Sequence, residues 1–231
     1  MSLDFVFSTY NVEPGETVWT DTGIYTNNFL YLTSADGGSA GTYVEFRGST
    51  NKAIGTVLVP QSGSPNILNL DNADYCRFAD MTFSGAAQYG VELGSGSDHN
   101  QFLRVKFLSC GSGVRGTSGS SNLFENCLAQ ACSFAGVQGF GPGGTVGSGN
   151  LWKNGLSYGN TYAFYVDGLS ASNSIVVGGI AFGVSARGDY NLFSEALLTP
   201  DGATLSELQD TSGDFGHSTM ADPLFANAAG G

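Results

Sequence analysis

Basic residues are scarce in this chain of 231 residues. Eight Lys and Arg stand against twenty Asp and Glu, which gives a formal net charge of −12. Such a chain repels the phosphate backbone of nucleic acids and anionic membrane surfaces, so we expect no nucleic-acid partner. The sequence also contains no run of ~20 apolar residues, the length that a membrane-spanning helix requires. We therefore expect no membrane span.

Charged residues of both signs are few as well. They make up only 12% of the chain, whereas glycine occurs 35 times. Surface helices normally carry charged outer faces, so this composition favours many tight turns around a continuous apolar interior. The length suffices for one all-β domain with a long, thin core.

A short phrase recurs in the second half of the chain. It consists of Asn, a variable residue and a large apolar residue, at 100–102, 122–124, 150–152, 173–175 and 191–193. A Gly-Val pair or its equivalent precedes the next asparagine, at 90–91, 113–114, 136–137, 165–166 and 183–184. Units of about 18 to 28 residues with two apolar strands and no helix bury their apolar face only against their neighbours. With right-handed crossovers, this predicts a right-handed parallel β-helix.

The repeat register makes specific predictions about the interior. The apolar residues of the phrase are expected to form one buried stack, and its asparagines a structural ladder at a turn. The stack comprises Phe102, Phe124, Trp152, Ile175 and Phe193, and the ladder Asn100, Asn122, Asn150, Asn173 and Asn191.

The four cysteines include two at the same offset in neighbouring coils. Cys110 lies ten residues after Asn100, and Cys132 lies ten after Asn122, so the two should be stacked. They pack either as small apolar side chains or as a disulfide, and the first alternative is favoured. Zinc is not expected, because both histidines lie far from any paired-cysteine spacing.

The chain divides into four stretches of a single domain. Residues 1–15 form an N-terminal segment, 16–84 carry irregular coils, 85–193 carry the regular coils, and 194–231 form a C-terminal cap and tail. Thr204 and Glu207 match a capping box, which predicts a short helix near 204–210. This helix would help to close one end of the solenoid.

Several segments are similar to a known group of domains. The runs Pro14-Gly15-Glu16-Thr17, Asp21-Thr22-Gly23-Ile24-Tyr25-Thr26 and Glu45-Phe46-Arg47-Gly48 resemble the opening coils of pectate-lyase-like right-handed β-helix domains. The phrases at 73–75, 81–83 and 221–225 resemble the same group. The resemblance covers nearly the whole chain and specifies a fold rather than a reaction.

The resemblance has implications for cellular context. Such domains occur in polysaccharide lyases and as repeat modules of large secreted or surface proteins, which implies an extracellular or cell-surface location and flanking domains in a longer parent. Residues 1–10 carry no signal-peptide pattern. They are also too short and too rich in aromatic and β-branched residues to supply much of the amphipathic helix that often covers the first coil in this group.

One outward column holds the candidate functional side chains. The residue after each inward valine points outward, and copies in successive coils stack at the strand spacing of about 4.8 Å. Alignment on the valines gives Glu92, Arg115, Gln138, Asp167 and Ser185. The longest coil places Phe140 on a loop beside this column, where its ring suits a sugar. These six residues are the candidate substrate-binding set.

Two functions from different classes remain open. The first is a noncatalytic module, structural or carbohydrate-binding, that needs no cofactor. The second is a polysaccharide lyase acting on uronic-acid polymers, with Arg115 as catalytic base and Glu92 and Asp167 as Ca²⁺ ligands. A glycosidase is disfavoured, because Glu92 and Asp167 would lie about 14 Å apart, beyond the 5 to 9.5 Å such enzymes use. We favour the first function, since no dense cationic cluster occurs in the column.

Overall fold

The computed structural model describes residues 3–27, 29–51, 53–116, 118–139, 145–182, 188–194, 204–212 and 215–221. Within these residues the strands form three parallel sheets, A, B and C, which the chain visits in turn from Thr17 to Ser194. Sheet A contains β1 (Thr17–Trp19), β4 (Val44–Arg47), β7 (Cys76–Ala79), β10 (Gln101–Leu103), β13 (Leu123–Glu125), β16 (Thr145–Lys153), β19 (Asp167–Ser172) and β22 (Gly188–Asp189).

The other two sheets complete each coil. Sheet B contains β2 (Gly23–Asn27), β5 (Thr56–Pro60), β8 (Met81–Ser84), β11 (Lys106–Leu108), β14 (Leu128–Gln130), β17 (Leu156–Tyr158), β20 (Ile175–Val177), β23 (Leu192–Ser194) and β24 (Thr219–Met220). Sheet C contains β3 (Leu30–Thr33), β6 (Leu68–Asp71), β9 (Tyr89–Leu93), β12 (Ser112–Gly116), β15 (Ala135–Gln138), β18 (Tyr162–Tyr165) and β21 (Ile180–Phe182). The fold is the predicted right-handed parallel β-helix.

Each coil has three strands, so the prediction of two was wrong. The strands of sheets A and B are separated by only two residues in the regular coils, as at Arg104 and Val105, and therefore look like one apolar segment in the sequence. The first residue of this corner adopts a left-handed conformation, with φ of 56° at Arg104 and at Asn126. Asparagine tolerates that conformation better than most residues, which explains its frequency there.

The interior stack of sheet A agrees with the sequence over three coils and then departs from it. Phe102 stacks on Phe124 at 4.9 Å between ring centroids, and Phe124 stacks on Trp152 at 5.9 Å. The next residue in this stack is Ala171, which pairs with Trp152. The predicted members Ile175 and Phe193 lie in sheet B instead. Their Asn-containing phrases fall at the corner between sheets A and B, one corner later than the earlier copies.

The asparagine ladder shows the same change of corner. Asn122 Oδ1 accepts a hydrogen bond from the backbone N–H of Asn100 at 2.8 Å, and Asn150 Oδ1 accepts one from that of Asn122 at 2.9 Å. This confirms the ladder for these buried residues. Asn173 is an exposed left-handed corner residue with φ 49°, and Asn191 accepts instead from the N–H of Ser174 at 3.0 Å.

Glycine before valine is required by close backbone approach in sheet C. A Cβ at Gly113 would lie 2.7 Å from the carbonyl oxygen of Gly136 and 2.8 Å from Cβ of Phe107. The valines that follow, Val114 and Val137, are buried and point inward. The Gly-Val pair therefore fixes which residue of each sheet C strand faces solvent.

The cysteines are all buried and free, so the predicted packing of Cys110 and Cys132 as thiols is confirmed. Burial raises the pKa of Cys76, Cys127 and Cys132 to about 12 and also raises that of Cys110. At neutral pH these side chains are therefore protonated and behave as small apolar groups.

Helices lie near both ends of the described chain. α1 (Leu3–Thr9) contacts β2 and β3 and buries Leu3, so the expectation of little N-terminal helix was wrong. Packing against the first coil outweighs the weak helix propensity of its residues. α2 (Leu205–Ser212) confirms the predicted C-terminal helix. Its capping box is formed, because Glu207 Oε2 accepts a hydrogen bond from the N–H of Thr204 at 2.7 Å. Among the described residues no helix is long and apolar enough to cross a membrane.

Candidate functional site

The outer face of sheet C carries the predicted polar column over three coils. Glu92, Arg115 and Gln138 each follow an inward valine and are paired strand to strand in the register β9, β12, β15. The column extends to Asn69 on the preceding coil and to Tyr165 on the following one. The sequence thus placed the centre of the column correctly.

The predicted upper end of the column is corrected by the strand pairing. Asp167 belongs to β19 of sheet A and pairs with Thr145, so it does not continue the column. The sequence alignment treated Val166 as the inward residue, whereas Phe164 occupies that position opposite Val137. The remaining candidates, Phe140 and Ser185, lie outside the described residues.

The Glu92 and Arg115 pair is held by several partners. Arg115 Nη1 lies 3.5 Å from Glu92 Oε1 and donates a hydrogen bond to Tyr89 Oη at 2.7 Å. Asn66 Nδ2 donates to Glu92 Oε2 at 2.9 Å. Both charged side chains are less than one fifth exposed, at 18% and 17%. These contacts fix the orientation of both charged side chains.

An aromatic cluster borders the column at its upper end. The rings of Phe134, Tyr162 and Tyr165 are in mutual contact, with centroid distances of 4.8 to 5.3 Å. All three side chains are half-buried, so parts of their rings face solvent. Aromatic rings of this kind present an apolar surface together with the polar hydroxyls of tyrosine.

A shallow concavity of about 590 Å³ lies on this face, with Gln138 of the column and Phe134 of the cluster in its lining. We call it the sheet C groove; its lining is Ala87, Gln88, Tyr89, Gly111, Ser112, Ser133, Phe134 and Gln138. Ser112 Oγ donates a hydrogen bond to Gln138 Oε1 at 2.7 Å, and this bond fixes the orientation of the Gln138 amide group. The groove combines aromatic surface with hydroxyl and amide groups.

The predicted calcium ligands, Glu92 and Asp167, belong to strands of different sheets. Glu92 lies on sheet C and Asp167 on a strand of sheet A. Within the part of the chain that the structure describes, no three His, Cys, Asp or Glu side chains are grouped so that they could hold a metal ion.

The aromatic residues of this face are absent from the site predicted from the sequence. Tyr89 comes directly before a Gly-Val pair, and Phe134 comes two residues before one. Tyr162 comes directly before Ala163 and Phe164, as Tyr89 does before its Gly-Val pair. An aromatic residue recurring just before the inward apolar residue of sheet C was a signal that could have identified the groove.

Comparison with known proteins identifies the fold. No family model and no curated protein matches the sequence. The structure is similar to that of an alginate lyase from Paenibacillus sp. str. FPU-7, with a TM-score of 0.62 and 17% identity over 84% of this chain and 73% of that one. It is also similar to the pectate lyase Pel9A, with a TM-score of 0.59 and 18% identity over 85% and 57% of the two chains.

A third similar structure belongs to another kind of enzyme. The pectin methylesterase from Aspergillus niger gives a TM-score of 0.53 and 10% identity over 93% of this chain and 73% of its own. The chain spans little more than half the length of Pel9A. These similarities establish the pectate-lyase-like parallel β-helix fold that the sequence predicted, and a fold shared by lyases and an esterase does not by itself assign a reaction.

Proposed function

We propose that this chain is a noncatalytic β-helix module that binds carbohydrate in the sheet C groove. The observation that carries the proposal is the half-buried ring of Phe134, which lines the groove together with Gln138 and packs against Tyr162 and Tyr165. Aromatic faces pack against the C–H face of sugar rings, while a few fixed polar groups orient the hydroxyls. The groove offers both kinds of contact on a rigid sheet.

The surroundings of Arg115 favour binding over catalysis. A lyase acting on uronates needs a base and a second positive charge that offsets the substrate carboxylate. Along the described column from Asn69 to Tyr165, Arg115 is the only basic residue, and its charge is already opposed by Glu92 at 3.5 Å. This arrangement supports a noncatalytic role, and the polysaccharide lyase remains the competing hypothesis.

We further propose an extracellular location as part of a larger protein. The support is the resemblance of the opening coils to modules of secreted proteins. The structurally similar proteins include an alginate lyase, a pectate lyase and a pectin methylesterase, which agrees with a carbohydrate partner.

Replacing Phe134 with alanine is expected to weaken carbohydrate binding by about tenfold, since a lost ring contact of about 1.4 kcal/mol corresponds to that factor. Binding is measured by isothermal titration calorimetry with oligosaccharides of neutral and acidic sugars. Gln138→Ala should weaken binding as well. The matched control is Tyr158→Ala, an outward tyrosine of sheet B that is 46% exposed, and it should leave affinity unchanged.

Two results would refute the proposal. One is that no oligosaccharide of the panel binds to the intact protein. The other is that Phe134→Ala and Gln138→Ala, shown to be folded by circular dichroism, bind as tightly as the parent.

A further inference from the structure

A second concave surface lies at the corner between sheets A and B, and it shares no residue with the sheet C groove. It consists of two adjoining concavities of about 950 and 610 Å³. Both are lined by Ser49, Thr50 and Asp80. Trp19 and Arg47 line the larger one, while Arg104 and Lys106 line the smaller one. We call this surface the Trp19 groove.

An unusually long corner builds the groove. Between β4 and β5 the chain takes residues 48–55, whereas the regular coils use two residues at the same corner. The long corner is anchored at Ser49, whose N–H donates to Thr56 Oγ1 at 2.8 Å and whose Oγ accepts from Thr22 Oγ1 at 2.6 Å. Such an insertion on a rigid scaffold is where recognition is commonly found.

An exposed tryptophan forms one end of the groove. Trp19 is 69% exposed, whereas the other tryptophan of the chain, Trp152, is completely buried. The guanidinium carbon of Arg47 lies 5.2 Å from the centroid of the Trp19 ring. A large apolar ring left open beside a concavity and a cation presents a stacking surface for a ligand.

The charge of the groove differs from that of the whole chain. Its lining holds Arg47, Arg104 and Lys106 against Asp21 and Asp80, which gives a net charge of +1 in a protein of net charge −12. Asp80 is occupied by Arg104 through two hydrogen bonds of 2.7 and 2.8 Å. Arg47 pairs with Glu45 outside the lining at 2.6 Å.

Of the three cations in the described lining of the groove, Lys106 is the one that remains available to a ligand. It is exposed, and among the described residues it forms no salt bridge. Lys106 lies on the fourth coil and Trp19 on the first, so about three strand spacings, roughly 14 Å, separate them along the helix axis. A ligand that reaches both is an extended chain rather than a single sugar.

We propose that the Trp19 groove is a second binding site, which takes an oligosaccharide bearing an anionic group. One sugar ring packs on Trp19, and the anionic group pairs with Lys106. Between these two contacts, the oligosaccharide runs along the hydroxyl-bearing residues Ser49 and Thr50. The anionic group is a carboxylate or a sulfate, which have the same charge chemistry. This inference goes beyond the proposed function, because it concerns another face of the molecule.

Trp19 provides a direct test by fluorescence quenching. Acrylamide should quench exposed Trp19 and spare buried Trp152. Saturation with trigalacturonate or with a sulfated galactose oligomer should lower the quenching constant by about twofold or more, and the stronger of the two identifies the anionic group. Neutral galactotriose should bind at least about fivefold more weakly. Added salt should weaken the binding of the anionic oligomers only.

Variants locate the anionic contact. Lys106→Gln should weaken binding of the anionic oligomer about fivefold and abolish its salt dependence. The matched control, Lys153→Gln, removes another exposed lysine and should bind like the parent. The inference is overturned if neither anionic oligomer protects Trp19, if galactotriose protects it equally well, or if Lys153→Gln and Lys106→Gln have the same effect.

The two binding proposals fail independently. Phe134→Ala should leave the protection of Trp19 unchanged, because that residue lies in the sheet C groove. Loss of Trp19 protection in Phe134→Ala would contradict a separate site, whereas loss of calorimetric binding alone concerns only the sheet C groove.

Discussion

Replacing Phe124 with alanine is expected to destabilise the protein by about 3 to 5 kcal/mol. Phe124 is 2% exposed and lies between Phe102 and Trp152 in the interior stack of sheet A. Truncation removes the ring and leaves a cavity that stacked neighbours on fixed strands cannot fill. Equilibrium denaturation in urea, followed by the fluorescence of buried Trp152, measures the change.

The control for this prediction is Ile175→Ala. The sequence alignment placed Ile175 in the same stack, but it lies on the outer side of sheet B and is half-buried. Ile175→Ala should lower the free energy of unfolding clearly less than Phe124→Ala does. Equal losses in the two variants, or a Phe124→Ala variant within about 1 kcal/mol of the parent, would contradict the register described for sheet A.

Asn122→Ala is expected to lower stability by about 2 to 6 kcal/mol, because it removes the partner of two buried backbone groups at about 1 to 3 kcal/mol each. Asn122 Oδ1 accepts from the N–H of Asn100 at 2.8 Å, and its Nδ2 donates to the carbonyl of Ser97 at 3.0 Å. Calorimetry should show a melting temperature lower by several degrees, since 1 kcal/mol corresponds to roughly 2 to 4 °C at this size.

Asn173→Ala provides the matched comparison. Asn173 belongs to the same sequence phrase but is exposed, so its replacement should lower stability by only about 1 kcal/mol, the cost of placing alanine in its left-handed conformation (φ 49°). If both variants melted at the same temperature, the ladder would contribute nothing specific.

The repeat in the sequence predicted the solenoid and much of its interior, since Phe102, Phe124 and Trp152 recur with buried asparagines. It did not reveal which corner each asparagine occupies. A ladder position and a left-handed corner both favour asparagine, for different physical reasons, so the phrase at Asn173 looked like the one at Asn150. The same ambiguity moved Ile175 into the wrong sheet.

The candidate site was predictable only where the repeat is exact. Glu92, Arg115 and Gln138 follow identical Gly-Val pairs, whereas Phe164 replaces the valine in the next coil and shifted the alignment to Asp167. The Trp19 groove depends on residues 48–55, which have no counterpart in other coils. Periodicity carries no information about such an insertion.

The assignment of a noncatalytic role is tested most directly by incubating the protein with pectate, alginate or another uronate polymer, with and without Ca²⁺. A lyase creates unsaturated sugar ends that absorb near the ultraviolet edge. We expect no rise in absorbance from the intact protein, because Glu92 opposes the charge of Arg115 and the described column offers no second cation. A reproducible rise that Arg115→Ala abolishes would contradict the noncatalytic assignment and identify the protein as a polysaccharide lyase.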